Sequence, residues 1–90
     1  MRARRRAVID EYVEGGRAAV FSDQGMVIVL SELATVAWSV LGDDWTSSEE
    51  VAVALVAEFG APGEADGALV LTERALRTLA EHALVELDDA

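Results

Sequence analysis

Along the chain the hydrophobic period changes once, near Ser31, from about two residues to about three and a half. Before that point the apolar positions read as strands. Ala7 to Val13 mixes β-branched and aromatic residues, Gly15-Gly16 offers a tight turn, and Arg17 to Ser22 sets Ala18 and Val20 on one side against Ala19 and Phe21 on the other. Asp23-Gln24-Gly25 is a second turn, in which Gly25 can take positive φ without steric cost. Met26-Val27-Ile28-Val29-Leu30 comes next and is apolar at every position. Such a strand is either covered on both faces or leaves apolar surface for something else to cover. Three strands joined by two short turns predict an antiparallel meander.

Beyond Ser31 the pattern is helical. Leu33, Val36, Ala37, Val40 and Leu41 share one stripe, with Ser31 as N-cap and Glu32 complementing the dipole of the first turn. Gly42-Asp43-Asp44 ends this helix. Thr46-x-x-Glu49 and Ser47-x-x-Glu50 are both capping-box patterns, and Val51, Leu55 and Phe59 with Ala52 and Val56 carry a second helix to Gly60-Ala61-Pro62-Gly63. A loop continues through Gly67. The third helix is expected to begin between Leu69 and Thr72 and to run to about Ala83, with Leu76, Leu79, Ala80 and Ala83 inward and Arg74, Arg77, Thr78 and Glu81 outward or sideways. Val85-Glu86-Leu87 reads as a short terminal strand. Phe21 and Phe59 are expected in the core, and Trp38 and Trp45 at its edge. The resulting fold class is α+β: a three-stranded antiparallel sheet and then three helices, in one domain spanning residues 1–90, with residues 1–6 as a flexible basic N-terminus.

Composition narrows the chemistry. The chain has 90 residues, 52% apolar, with no Cys and a net charge of −10. That apolar content argues against a disordered acidic tail, and the lack of Cys excludes a disulfide framework, a thiolate metal site and a cysteine nucleophile. Charge is split unevenly. Residues 1–17 hold five Arg and three acids, leaving +2, whereas residues 18–90 hold only Arg74 and Arg77 against fourteen acids, leaving −12. Such a body is a poor ligand for duplex nucleic acid, whose binding rests on phosphate neutralisation. Met1-Arg2-Ala3-Arg4-Arg5-Arg6 has the charge of a signal n-region, but Asp10, Glu11 and Glu14 interrupt the stretch that would have to be apolar, so neither an export signal nor a membrane span is expected and the location is read as cytoplasmic. His82 stands alone near a helix end, the Gly60 to Gly67 loop lacks the Lys of a phosphate loop, and Asp43-Asp44, Glu49-Glu50 and Asp88-Asp89 sit at turns, caps or an end. No catalytic constellation assembles, and no enzyme activity, cofactor or metal is expected. Leu30-Ser31-Glu32-Leu33 comes nearest to the Asp-Ser-Leu motif of acyl carrier proteins, but the Asp is missing, the Leu is displaced by one and a strand precedes it; Ser31 is read as a cap.

The run Leu30-Ser31-Glu32-Leu33-Ala34-Thr35-Val36-Ala37-Trp38-Ser39-Val40-Leu41 resembles the PqqD-like proteins, the recognition elements of ribosomally made peptide natural products. The resemblance extends through Thr46, the Glu49-Glu50-Val51 helix start, Glu58-Phe59-Gly60 and Leu76-x-x-Leu79-x-x-x-x-Leu84-Val85, covering about Arg17 to Leu87. The chain departs from the family at Ala83, where Gly is frequent after the last helix, at Ala75, where a bulkier residue is common, and in its long glycine-rich connection from Gly60 to Leu71. The resemblance implies a winged-helix-like fold that binds the leader of a precursor peptide as a strand added beside the third strand, in a groove closed by the third helix. It also implies presentation of that leader to a modifying enzyme or leader protease, with lasso-peptide pathways as one setting for free-standing proteins of this size.

An unpaired edge strand offers amides and carbonyls that an extended peptide can satisfy. Met26, Val27, Ile28, Val29 and Leu30 are therefore the candidate edge: Val27, Ile28 and Val29 for backbone pairing and apolar contact, and Arg74, Arg77 or Thr78 for polar or acidic leader side chains. Arg74 and Arg77 could equally form a solvated face with Glu73 and Glu81. Two other functions fit the same residues: a winged-helix transcription regulator with Arg74 and Arg77 in the major groove, and a small acidic adaptor or antitoxin-like protein that covers a basic partner.

Overall fold

Residues 1–6, expected as a flexible tail, instead supply the central strand of a sheet. In the computed structural model, which describes residues 1–63 and 67–89, the chain runs β1 (Arg2–Arg5), β2 (Val8–Glu14), β3 (Arg17–Ser22), β4 (Val27–Val29), α1 (Glu32–Val40), β5 (Thr46–Ser47), α2 (Ser48–Phe59), α3 (Gly67–Glu81) and β6 (Val85–Asp88). Among the described residues this is an α+β arrangement with three helices and two antiparallel three-stranded sheets, ordered β5-β1-β6 and β2-β3-β4. No helix among them is long and apolar enough to cross a membrane.

The β5-β1-β6 sheet corrects the expectation of a single sheet, and charge explains why it forms. Arg2 pairs with Asp88 and Arg4 with Glu86 in register, and each guanidinium forms an ion pair with its cross-strand carboxylate. Both guanidiniums also lie over the Trp45 ring, 5.2 and 4.4 Å from its centroid. Ala3, between them and on the opposite face, is fully buried. The basic N-terminus is thus folded onto the acidic C-terminal strand, and its charge is spent within the molecule.

The meander forms as the turns dictate. Gly15 and Gly16 take φ of 61° and 76°, the positive values that a two-residue hairpin turn with the right twist requires. Met26 and Leu30 flank a β4 of three residues, shorter than the pattern suggested. Ser31 caps α1 by accepting from Ala34 N–H at 3.1 Å, and of the two capping boxes ahead of α2 it is Ser47 that caps, accepting from Glu50 N–H at 3.2 Å.

The core gathers Val20, Leu30, Trp38, Val51, Leu76 and Leu79 from both sheets' neighbourhoods and all three helices. Trp38 lies inside it rather than at its edge, while Leu33 and Phe59, expected inward, are exposed. The rotation of α1 has a polar cause. Thr35 is buried because its hydroxyl accepts from Ala18 N–H at 2.9 Å while donating to Ser31 C=O at 2.8 Å, which turns the Thr35–Trp38 side of the helix to β3. α3 starts at Gly67, earlier than expected, and stops at Glu81 rather than Ala83. Ala83 takes φ of 59°, with Leu84 N–H donating to Leu79 C=O at 3.0 Å and Ala83 N–H to Ala80 C=O at 2.9 Å. This is a Schellman ending with alanine in the left-handed position that glycine usually holds.

Candidate functional site

The hydrogen-bond phase of β4 decides what its edge can do. Ser22 N–H donates to Met26 C=O and Leu30 N–H to Ala18 C=O, both at 2.8 Å. In an antiparallel ladder the bonded pairs recur every second residue, so Val20 and Ile28, paired midway between these two, exchange the inward bonds. The backbones of Val27 and Val29 therefore turn away from β3. Met26 N–H is taken by Ser22 Oγ at 3.2 Å and Leu30 C=O by Arg17 Nε at 3.0 Å, which leaves two N–H and two C=O groups of Val27 and Val29 facing outward. Of the three residues expected to pair with a peptide, Ile28 is thus committed to β3, and its side chain packs against the core.

Side chains around this edge are apolar. Met26, Val27 and Val29 are 59%, 56% and 60% exposed, and no charge falls between Met26 and Leu30. The register continues the surface across the outer face of the sheet, with Val29, Ala19 and Tyr12 in one row and Val27, Phe21 and Asp10 in the next. The opposite edge, β2, is of another kind. It carries Asp10, Glu11 and Glu14, and its register shifts between Val8 and Asp10, both of which discourage strand addition. In the second sheet β5 has only two residues and β6 carries Glu86 and Asp88. Among the described residues β4 is therefore the one uncharged strand edge longer than two residues.

Beyond β4 the chain enters α1, where exposed Leu33 lines a groove of about 220 Å³ with Leu55, Phe59, Pro62, Ala68 and Leu71. The part of α3 that shares this groove with Leu33 is its start, Ala68 to Thr72, and no β4 residue lines it. Arg74, Arg77 and Thr78 lie on its exposed side further along. Arg77 approaches Asp89 at 3.7 Å with both side chains more than half exposed, an ion pair worth little and readily exchanged. Glu73, considered as an arginine partner, accepts instead from Ser48 Oγ at 3.1 Å, and Thr78 Oγ1 donates to Arg74 C=O at 3.1 Å.

No family model, curated protein or solved structure matches this chain.

A polar cluster at the root of the meander holds the site in place. Arg5 donates to Trp38 C=O through Nε at 3.1 Å and Nη2 at 2.8 Å, and its Nη1 reaches Glu11 at 3.1 Å. Glu11 also accepts from Trp38 Nε1–H, and the guanidinium lies 4.1 Å from the Trp38 ring centroid. One residue each from β1, β2 and α1 is so joined, which ties the two sheets to the helix after β4. Sequence reasoning missed this cluster because its members are 6, 27 and 33 positions apart. Among the described residues no group of three His, Cys, Asp or Glu is placed to hold a metal ion.

Proposed function

We propose that this protein is a non-catalytic recognition module that binds an extended peptide, the leader of a ribosomally made precursor, as a strand added to β4, and presents it to a modifying enzyme or protease. The observation that carries the proposal is the outward-facing backbone of Val27 and Val29 on an uncharged, apolar strand edge. An added strand gains main-chain hydrogen bonds there, each worth about 1 kcal/mol net, and specificity from side chains at alternate positions. Residues of the peptide on the outer face meet Val27 and Val29. Those on the inner face meet Ile28 and, at the Leu33 end, the groove shared with Leu71 at the start of α3. Arg74, Arg77 and Thr78 are the candidate contacts for polar or acidic side chains that extend along α3. The same reading takes the meander and the three helices as a winged-helix-like unit, as the sequence resemblance implies.

The test is anisotropy titration with labelled leader peptides taken from short reading frames beside this gene. Saturable binding is expected, little affected by added salt because pairing and apolar contact dominate. Val29→Pro removes one outward N–H while leaving the ladder to β3 intact, and should weaken binding at least about tenfold. A Val29→Pro protein that stays folded and binds as tightly as the parent overturns the proposal.

A further inference from the structure

We infer that the trough between α2 and α3 is a docking site for a basic amphipathic helix of a partner protein. α2 is apolar at eight of its 12 positions, yet only one stripe of it, Ser48, Val51, Ala52 and Leu55, is buried in the fold. A second stripe at helical spacing, Ala52, Val53 and Val56, faces a trough of about 370 Å³ whose other wall is Ala68 and Leu69 at the start of α3. Val53 is 71% exposed and Leu69 39%. A helix apolar on two sides belongs between two neighbours, and among the described residues nothing covers the outer side of α2.

Charge and backbone together select the occupant. From residue 18 to residue 73 the chain carries ten Asp and Glu and no Lys or Arg. Glu49 lines the trough itself, and beside it Ser48 Oγ donates to Glu73 at 3.1 Å, which holds a second carboxylate at that end. A partner that brings apolar side chains here must bring cations around them, which disfavours both a second copy at −10 and an anionic lipid surface. The walls are two α-helices whose N–H and C=O groups are bonded within each helix. An extended peptide laid between them would bury amides without partners, whereas a helix satisfies its own. At about 1.5 Å per residue the 12 residues of α2 run about 18 Å, room for three turns of a partner helix with anchors at i, i+3 or i+4, and i+7. No β4 residue lines the trough, so the inference does not rest on peptide recognition, and a helix seated over Val53 and Leu69 leaves the β4 edge free.

Calorimetric titration of the full chain tests it with an end-capped peptide of about 14 residues, leucines at i, i+3, i+4 and i+7 and lysines elsewhere. Saturable binding is expected, with helicity induced in the peptide and amide NMR shift changes concentrated on α2 and the start of α3. Affinity should fall as NaCl is added, unlike that of a leader paired to β4. Val53→Ser with Leu69→Ser should weaken binding at least about tenfold, and Val53→Ser alone about threefold. Val27→Ser, at the β4 edge, should leave it unchanged. Absence of saturable binding, equal affinity for a scrambled peptide of the same composition, a folded double variant that binds like the parent, or shift changes centred on β4 overturns the inference. So does binding to phosphatidylcholine vesicles without binding to the peptide. Val53→Ser alone keeps the test decisive if the double variant fails to fold.

Discussion

Ala83 sits where the end of α3 requires positive φ, at 59°, and this makes Ala83→Gly a sharp probe of the helix ending. An L-residue in the left-handed region costs roughly 1–2 kcal/mol, which glycine escapes. Against that relief stand the greater freedom of glycine in the unfolded chain, about 0.5–1 kcal/mol, and the loss of a half-buried methyl, a few tenths of a kcal/mol at about 25 cal/mol per Å². The net expectation is a gain of about 0.5 kcal/mol, which raises the thermal midpoint of a domain this size by about 2–4 °C. The same exchange at Ala75, inside α3, has no strain to relieve and should cost about 1 kcal/mol. Thermal and urea unfolding followed by circular dichroism compare the pair directly. Two alanine-to-glycine changes eight positions apart should move the midpoint in opposite directions. Should Ala83→Gly lower the midpoint as far as Ala75→Gly does, the left-handed ending is refuted.

Deleting residues 1–6 should abolish cooperative unfolding, since β5 and β6 both lose their shared neighbour; a melt unchanged by the deletion would restore the flexible tail. Glu11→Ala leaves Trp38 Nε1–H and Arg5 without their carboxylate and is expected to cost about 1–3 kcal/mol, with a shift in Trp38 emission read in a Trp45→Phe background. Leu76→Ala, at a fully buried position, should cost about 2–5 kcal/mol in urea unfolding. Ser47→Ala removes the cap of α2 and should cost about 1 kcal/mol, whereas Thr46→Ala, in the unused capping box, should cost less.

The parts of this fold that were legible in the sequence are those whose cause is local. Gly15-Gly16, Ser31, Ser47 and the Gly60-Pro62 stop act within a few residues, and the meander and the two capped helices are set by them. The elements that escaped depend on distant partners. β1 has one apolar residue and three arginines, nothing that reads as a strand until Glu86 and Asp88 are laid beside it. A clue was present in the alternation of charge, Arg2-Ala3-Arg4 against Glu86-Leu87-Asp88. Trp38 and Leu33 exchanged places because the Thr35 hydroxyl serves Ala18, a contact that helical periodicity does not contain. At the candidate edge the apolar run was visible, but which of its backbones face outward depends on where β3 pairs with it. That separated Val27 and Val29 from Ile28.

The β1–β6 pairing has a kinetic consequence. Arg2 finds its strand partner in Asp88, 86 positions later. The hairpins of β2, β3 and β4 need only neighbouring sequence and can close as soon as they are synthesised, but the β1–β6 side of the second sheet cannot form until nearly the whole chain is available. Until then Ala3 lacks its cover on that side and Arg2 and Arg4 lack their counter-charges, Asp88 and Glu86. Contacts of such sequence separation slow folding because a long loop must close before any of them contributes. The meeting of the two ends is therefore expected late in folding, and a fluorophore pair placed at residues 1 and 89 would report its rate.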